Sequence, residues 1–366
     1  MLKKILVALG IASIFAYSPG ALADPVADFY KGKRISLLVS SGPGPGYDFF
    51  ARLLASHMER NIPGKPNIVT QNMPGAGGMK VLNFAYNQGA RDGSMFFTLH
   101  TALPLQQVLG QRGVQFDARK LISIGRIAAG NSVTAVWHTT GVEKLADLKG
   151  KNISVAGSSA TSNTSVFPIV AKRLLGAQFN VIVGYSGMGE VMLAMERGEI
   201  NGFGNFTLAS LQSSYPKYLS EKLIRPLIQW GSHPEPEWKN VPLAVDLAKT
   251  PVARRAIEIL TTQIELGRSY FMPPGVPADR VAALRKAVKD TVNDPAFKAQ
   301  AQKAKADISY ASGEEMEKLI DLTVSAPKDA VELLRNAMAM SGSGRCEQYS
   351  DAKVCRKAKK KKKAGN

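Results

Sequence analysis

Ser40-Ser41-Gly42-Pro43-Gly44-Pro45-Gly46-Tyr47-Asp48 is the stretch from which the rest of the sequence is read. It follows an apolar run, 35–39, with the character of a strand. It precedes a run with helical spacing, 49–60. A strand that passes through a Gly/Pro turn into a helix leaves main-chain N–H groups at the helix start, where the positive end of the helix dipole also lies. Three glycines let a ligand approach that backbone closely, and Asp48 stands where an N-cap is expected. Ser41, Gly42, Gly46, Tyr47 and Asp48 are therefore candidate contacts for a small anion.

The same punctuation recurs. A strand over 67–71 runs into Asn72-Met73-Pro74-Gly75-Ala76-Gly77-Gly78 and a helix over 79–87, which adds Gly75, Ala76 and Gly77 to the candidates. Arg91-Asp92-Gly93 is a turn signal. The strand after it, 94–100, ends at His100-Thr101, and another covers 121–127. The pattern then restarts, with strands over 133–138, 152–156, 180–185, 200–205 and 224–230 and helices over 166–175 and 190–197. Strands that are nearly continuous apolar runs, alternating with helices, make a parallel sheet covered on both faces. Ligands bind such sheets at the C-terminal ends of the strands. In the second unit those ends carry Ser158, Ser159, Thr161, Ser162, Asn163 and Thr164, then Tyr185, then Asn205. Beyond a proline-rich link over 234–241 the chain is mostly helical and can return to cover the first unit.

A chain of 366 residues has room for two domains with cores of their own. Lys3 and Lys4, the apolar run 5–17 and Ala21-Leu22-Ala23 read as a signal peptide cleaved after Ala23, too short to span a bilayer. The expected location is the periplasm. The formal net charge of +18 is concentrated at the ends: without the leader and the lysine-rich segment 345–363, the body carries about +9, a modest bias towards anionic ligands. That tail, 341–366, reads as disordered and solvated, and export argues against a nucleic-acid partner. It holds both cysteines, Cys346 and Cys355, which an oxidising compartment can close into a small loop. A body without thiols excludes cysteine catalysis, and four scattered histidines make no metal site. No cofactor is expected. Gly184-Tyr185-Ser186-Gly187-Met188 fails as a G-x-S-x-G elbow at Met188, and neither a P-loop nor G-x-G-x-x-G occurs. No catalytic residue is assigned.

In four stretches the sequence resembles the extracytoplasmic solute receptors of tripartite tricarboxylate transporters, the Bug/TctC family. They are the opening loop with Asp48-Phe49-Phe50-Ala51-Arg52, Gln71 to Gly78, Asp92-Gly93 before a strand, and Met272-Pro273-Pro274-Gly275-Val276-Pro277. The resemblance runs from Asp24 to about Met340. It implies an α/β, two-lobed periplasmic binding protein of the type II-like, Venus flytrap kind, each lobe a mostly parallel sheet flanked by helices. The first lobe would comprise 24–128 and 238–340 and the second 129–237, with hinges near 128–132 and 231–236. It further implies a monomer that holds a small carboxylate between its lobes and hands it to membrane permease subunits. The chain departs from the family pattern at Ser186, where lysine is usual, and in Gly157 to Thr164, which is poorer in glycine. Two other functions fit the same features: presenting a ligand to a membrane sensor kinase, and an exported hydrolase using Ser158, Ser159 or Ser186.

Overall fold

The computed structural model describes residues 24–44, 46–158, 162–185 and 187–338. The expected leader with its cleavage after Ala23, the loop residues Pro45, Ser159, Thr161 and Ser186, both cysteines and the lysine-rich tail lie outside them.

Two five-stranded sheets organise the chain. The first holds β1 (Arg34–Val39), β2 (Asn67–Asn72), β3 (Met95–Thr98), β4 (Ile122–Arg126) and β10 (Ser269–Met272), in the order β2-β1-β3-β10-β4. β2 and β3 pair parallel with β1, whereas β10 runs antiparallel to β3 and β4. The second holds β5 (Ser132–Trp137), β6 (Ile153–Gly157), β7 (Phe179–Val183), β8 (Gly202–Thr207) and β9 (Ile224–Trp230), in the order β7-β6-β8-β5-β9. β6 is parallel to β7 and β8, and β5 is antiparallel to β8 and β9. The expected two α/β lobes with mostly parallel sheets are present. Each sheet has one antiparallel strand, in the same fourth place. The stretch 133–138, expected to begin a new parallel set, is instead this strand in the second sheet: it arrives directly from β4 of the first.

The strands are apolar on both faces because both faces are covered. Ile35, Leu37 and Val39 share a core with helices Tyr47–Met58 and Ala278–Asn293, while Leu38 between them packs with helices Met79–Gln88 and Gly313–Val324. In the second sheet Val136 and Val155 face helix Asn163–Val170, and Ala135 and Ala156 face helix Met188–Glu196. Burial on both sides erases the alternation that marks a half-exposed strand, so the sequence shows continuous apolar runs. Among the described residues no helix is long and apolar enough to cross a membrane.

The C-terminal part is shared between the lobes. Helices Ala278–Asn293 and Pro295–Lys303 pack on the first sheet. Helices Pro251–Leu266 and Lys328–Met338 share a core with Val136, Val155 and Phe167 of the second lobe. Within 238–340, expected to belong to the first lobe, these two helices therefore also contact the second lobe. Buried side chains tie the crossings together. Asn131 Nδ2 donates to Gln229 Oε1 at 3.3 Å and to the His233 carbonyl at 2.5 Å, and Glu235 Oε1 accepts from the Asn131 N–H at 2.9 Å.

Candidate functional site

A cleft of about 1040 Å³ lies between the lobes, lined from both sheets and from the segments that cross between them. Of the residues singled out in the sequence, Gly46, Tyr47, Asp48, His100, Thr101, Asn163 and Asn205 line it. Ser41, Gly42, Gly75, Ala76, Gly77, Ser158, Ser162, Thr164 and Tyr185 are not part of its wall.

Strand order explains part of this division. β2 and β7 are the edge strands of their sheets. The loop after β2 (Gly75, Ala76, Gly77) and the residue after β7 (Tyr185) stand to the side, whereas the segments after β1, β3, β6 and β8 flank the middle, where the crossing strands lie. Gly75, Ala76 and Gly77 are exposed to solvent. Gly78 has a packing role: at φ 88°, a Cβ there would sit 2.5 Å from His100 Cβ. The second glycine loop lets β3 and its histidine pack closely.

Asp48 lines the cleft but does not cap the helix, and its carboxylate is already hydrogen-bonded within the protein. Helix Tyr47–Met58 starts two residues earlier than expected, with Gly46 at its N-cap. The Asp48 carboxylate is buried, with 6% of its side chain exposed. It accepts from Gly44 N–H at 3.0 Å, Arg52 Nε at 3.0 Å and Asn72 Nδ2 at 2.8 Å. Burial works to raise its pKa, but the hydrogen bonds from Arg52, Asn72 and Gly44, with the Arg52 charge, together hold it below the usual carboxylate range. Arg52 Nη2 also reaches Asn72 Oδ1 at 3.0 Å, and Asn72 Nδ2 reaches the Ser41 carbonyl at 3.0 Å. Asp48 therefore closes the opening loop onto β2.

Tyr47, His100 and Arg268 form one cluster. The Tyr47 hydroxyl accepts from Thr101 N–H at 3.2 Å, and the Tyr47 and His100 rings lie 5.4 Å apart, centre to centre. The Arg268 guanidinium sits 4.5 Å above the Tyr47 ring and 5.7 Å from that of Phe50. Burial, reinforced by the positive charge of Arg268, pushes His100 down to about 4, so its imidazole is neutral at ordinary pH. His100 Nδ1 and Arg268 Nε are both buried without a hydrogen-bond partner. Among the described residues no carboxylate pairs with Arg268.

Arg268, Phe50, Thr207, Ser210 and Gln263 also line the cleft, and the sequence reading missed them. Arg268 is placed by the crossing into β10: its N–H donates to the Ala128 carbonyl at 2.7 Å, and Ile127 N–H donates to its own carbonyl at 3.1 Å. Gly267 permits this approach, because at φ 45° a Cβ there would fall 2.2 Å from the Ala128 oxygen. A Gly-Arg pair between a helix and a short strand was the signal available in the sequence. The second lobe contributes neutral groups. Asn205 Nδ2 donates to Ser132 Oγ at 2.5 Å, and Thr207 Oγ1 accepts from Ser210 N–H at 3.2 Å. Beside the cleft, Ser158 N–H donates to Thr164 Oγ1 at 2.9 Å, and the Ser158 and Thr164 hydroxyls lie 3.2 Å apart. Among the described residues no three His, Cys, Asp or Glu side chains are grouped so as to hold a metal ion.

No family model matches the chain. Protein BugT of Bordetella pertussis is 33% identical over 97 residues, 26% of this chain and 29% of BugT, so the match spans less than a third of that relative. A TctC solute binding protein from Polaromonas superposes with a TM-score of 0.64 at 19% identity, covering 84% of this chain and 99% of that one. MatC from Rhodopseudomonas palustris with bound malate gives 0.56 at 17%, covering 81% and 99%. The chain has the fold of these solute-binding proteins, and the resemblance to the Bug/TctC receptors read from its sequence is borne out.

Proposed function

We propose that the chain is a periplasmic receptor that captures a small carboxylate between its two lobes and delivers it to the membrane permease subunits of a tripartite tricarboxylate-type transporter. The observation that carries this reading is the cleft itself. It is drawn from both sheets and crossed by the segments that join them, so a ligand within it touches both lobes at once. A ligand that bridges two lobes stabilises the arrangement in which they close, and a closed receptor differs in surface from an open one. The chemistry of the walls suits an organic acid: an arginine and aromatic rings on one side, amides and hydroxyls on the other. MatC, which shares the fold, holds malate, a small carboxylate.

The test is a thermal-shift and small-angle-scattering screen of the purified protein against a broad panel of organic acids. At least one acid should raise the melting temperature and contract the radius of gyration. A panel that produces neither effect removes the receptor reading.

A further inference from the structure

Building on that receptor reading, we propose that Arg268 is the direct ionic anchor of the ligand and that the cleft selects a singly charged carboxylate with a flat apolar body.

The ionisable residues in the cleft wall are Asp48, Arg52, His100, Arg268, Lys305 and Asp307. Asp48 and Arg52 are paired at 3.0 Å. Lys305 and Asp307 are exposed rim residues of opposite sign, two positions apart. His100 is neutral. Among the described residues of the wall, one positive charge remains, on Arg268. One carboxylate matches it; a second would have no cation of its own among the described wall residues.

A guanidinium lying on an aromatic face is held in place, and its in-plane N–H groups stay available for a planar, bidentate partner. Arg268 has such support from Tyr47 and Phe50, and its buried Nε–H lacks an acceptor. A buried, unpaired donor atom on a half-buried cation is costly and calls for an anion. Tyr47 and Phe50 lie against this cation, so the ligand body beyond its carboxylate meets ring surface. Across the cleft, Asn163, Asn205, Thr207 and Ser210 offer hydrogen bonds but no charge.

The experiment is calorimetric titration of the purified chain with benzoate and cinnamate, their uncharged amides, succinate and citrate. The aromatic acids should bind at least about tenfold more tightly than their amides, and more tightly than succinate or citrate. Arg268→Gln should lower their affinity roughly 10- to 100-fold, with Arg268→Lys between the two. Tighter binding of citrate or succinate, or affinity unchanged in Arg268→Gln, overturns this inference and leaves the receptor reading standing. No binding by these or any other organic acid overturns both. If Arg268→Gln does not fold, acid against amide on the unaltered protein decides: equal affinities reject the ionic anchor.

Discussion

The first sheet receives its fourth-place strand, β10, from a segment that follows the whole second sheet in the chain, while the second receives β5 directly from the first lobe. The strand orders match, yet the two lobes present different chemistry to the same cleft. The first lobe brings a cation, Arg268, seated on Tyr47 and Phe50 beside a neutral His100. The second brings amides and hydroxyls that are already hydrogen-bonded to their neighbours. The loops after the first parallel strand of each sheet differ as well. In the first lobe a buried carboxylate, Asp48, holds the loop to β2. In the second, exposed hydroxyls of Ser158 and Thr164 pair with each other. Equal topology fixes where loops lie; the side chains decide that one lobe is a rigid charged anchor and the other an uncharged cover.

That contrast can be broken at either side. Asp48→Ala removes the acceptor for Gly44, Arg52 and Asn72 and should cost about 3 kcal/mol, measured by denaturant unfolding. If the loss is no larger than that of a surface change, the first loop is not held as described.

Stability should also depend on pH through His100. Its pKa is near 6.5 in the unfolded chain and about 4 in the folded one. As the pH falls from 6.5 to 4, the unfolded state takes up a proton that the folded state refuses. Stability present above pH 6.5 is therefore lost through that window, by roughly 3 kcal/mol. Unfolding of His100→Gln followed across the same range should lack this component. An unchanged slope would place the titration elsewhere.

Effects in the second lobe should be smaller and fall on binding. Asn205→Ala should weaken acid binding about fivefold with little change in melting temperature, since an uncharged hydrogen bond contributes about 1 kcal/mol. A loss as large as that of Arg268→Gln would erase the distinction between anchor and cover. Thr164→Val, which removes the acceptor of the Ser158 N–H and the partner of the Ser158 and Ser162 hydroxyls at an exposed site, should cost only about 1 kcal/mol of stability.

Much of the fold was legible because it is written locally. Gly176 and Gly198 follow helices that end at 175 and 196, apolar runs mark strands buried on two faces, and prolines mark the link after β9. The same local signals misled at the site. Gly75, Ala76 and Gly77 looked equivalent to the opening loop, yet they follow an edge strand. Asp48 carried the signature of a cap, but its partners Arg52 and Asn72 take up both of its oxygens. Arg268 gave almost no signal, since its neighbours in sequence say nothing of Tyr47 or Phe50.

The order of strands and helices, the paired α/β units and the loops able to face a ligand were determined by the sequence alone, through backbone preference and the spacing of apolar residues. Which of those loops reach the cleft, and what charge waits there, was decided only by tertiary structure. Strand order within a sheet comes from contacts between distant segments, and a side chain such as Arg268 acquires its surroundings only when β10 is laid between β3 and β4.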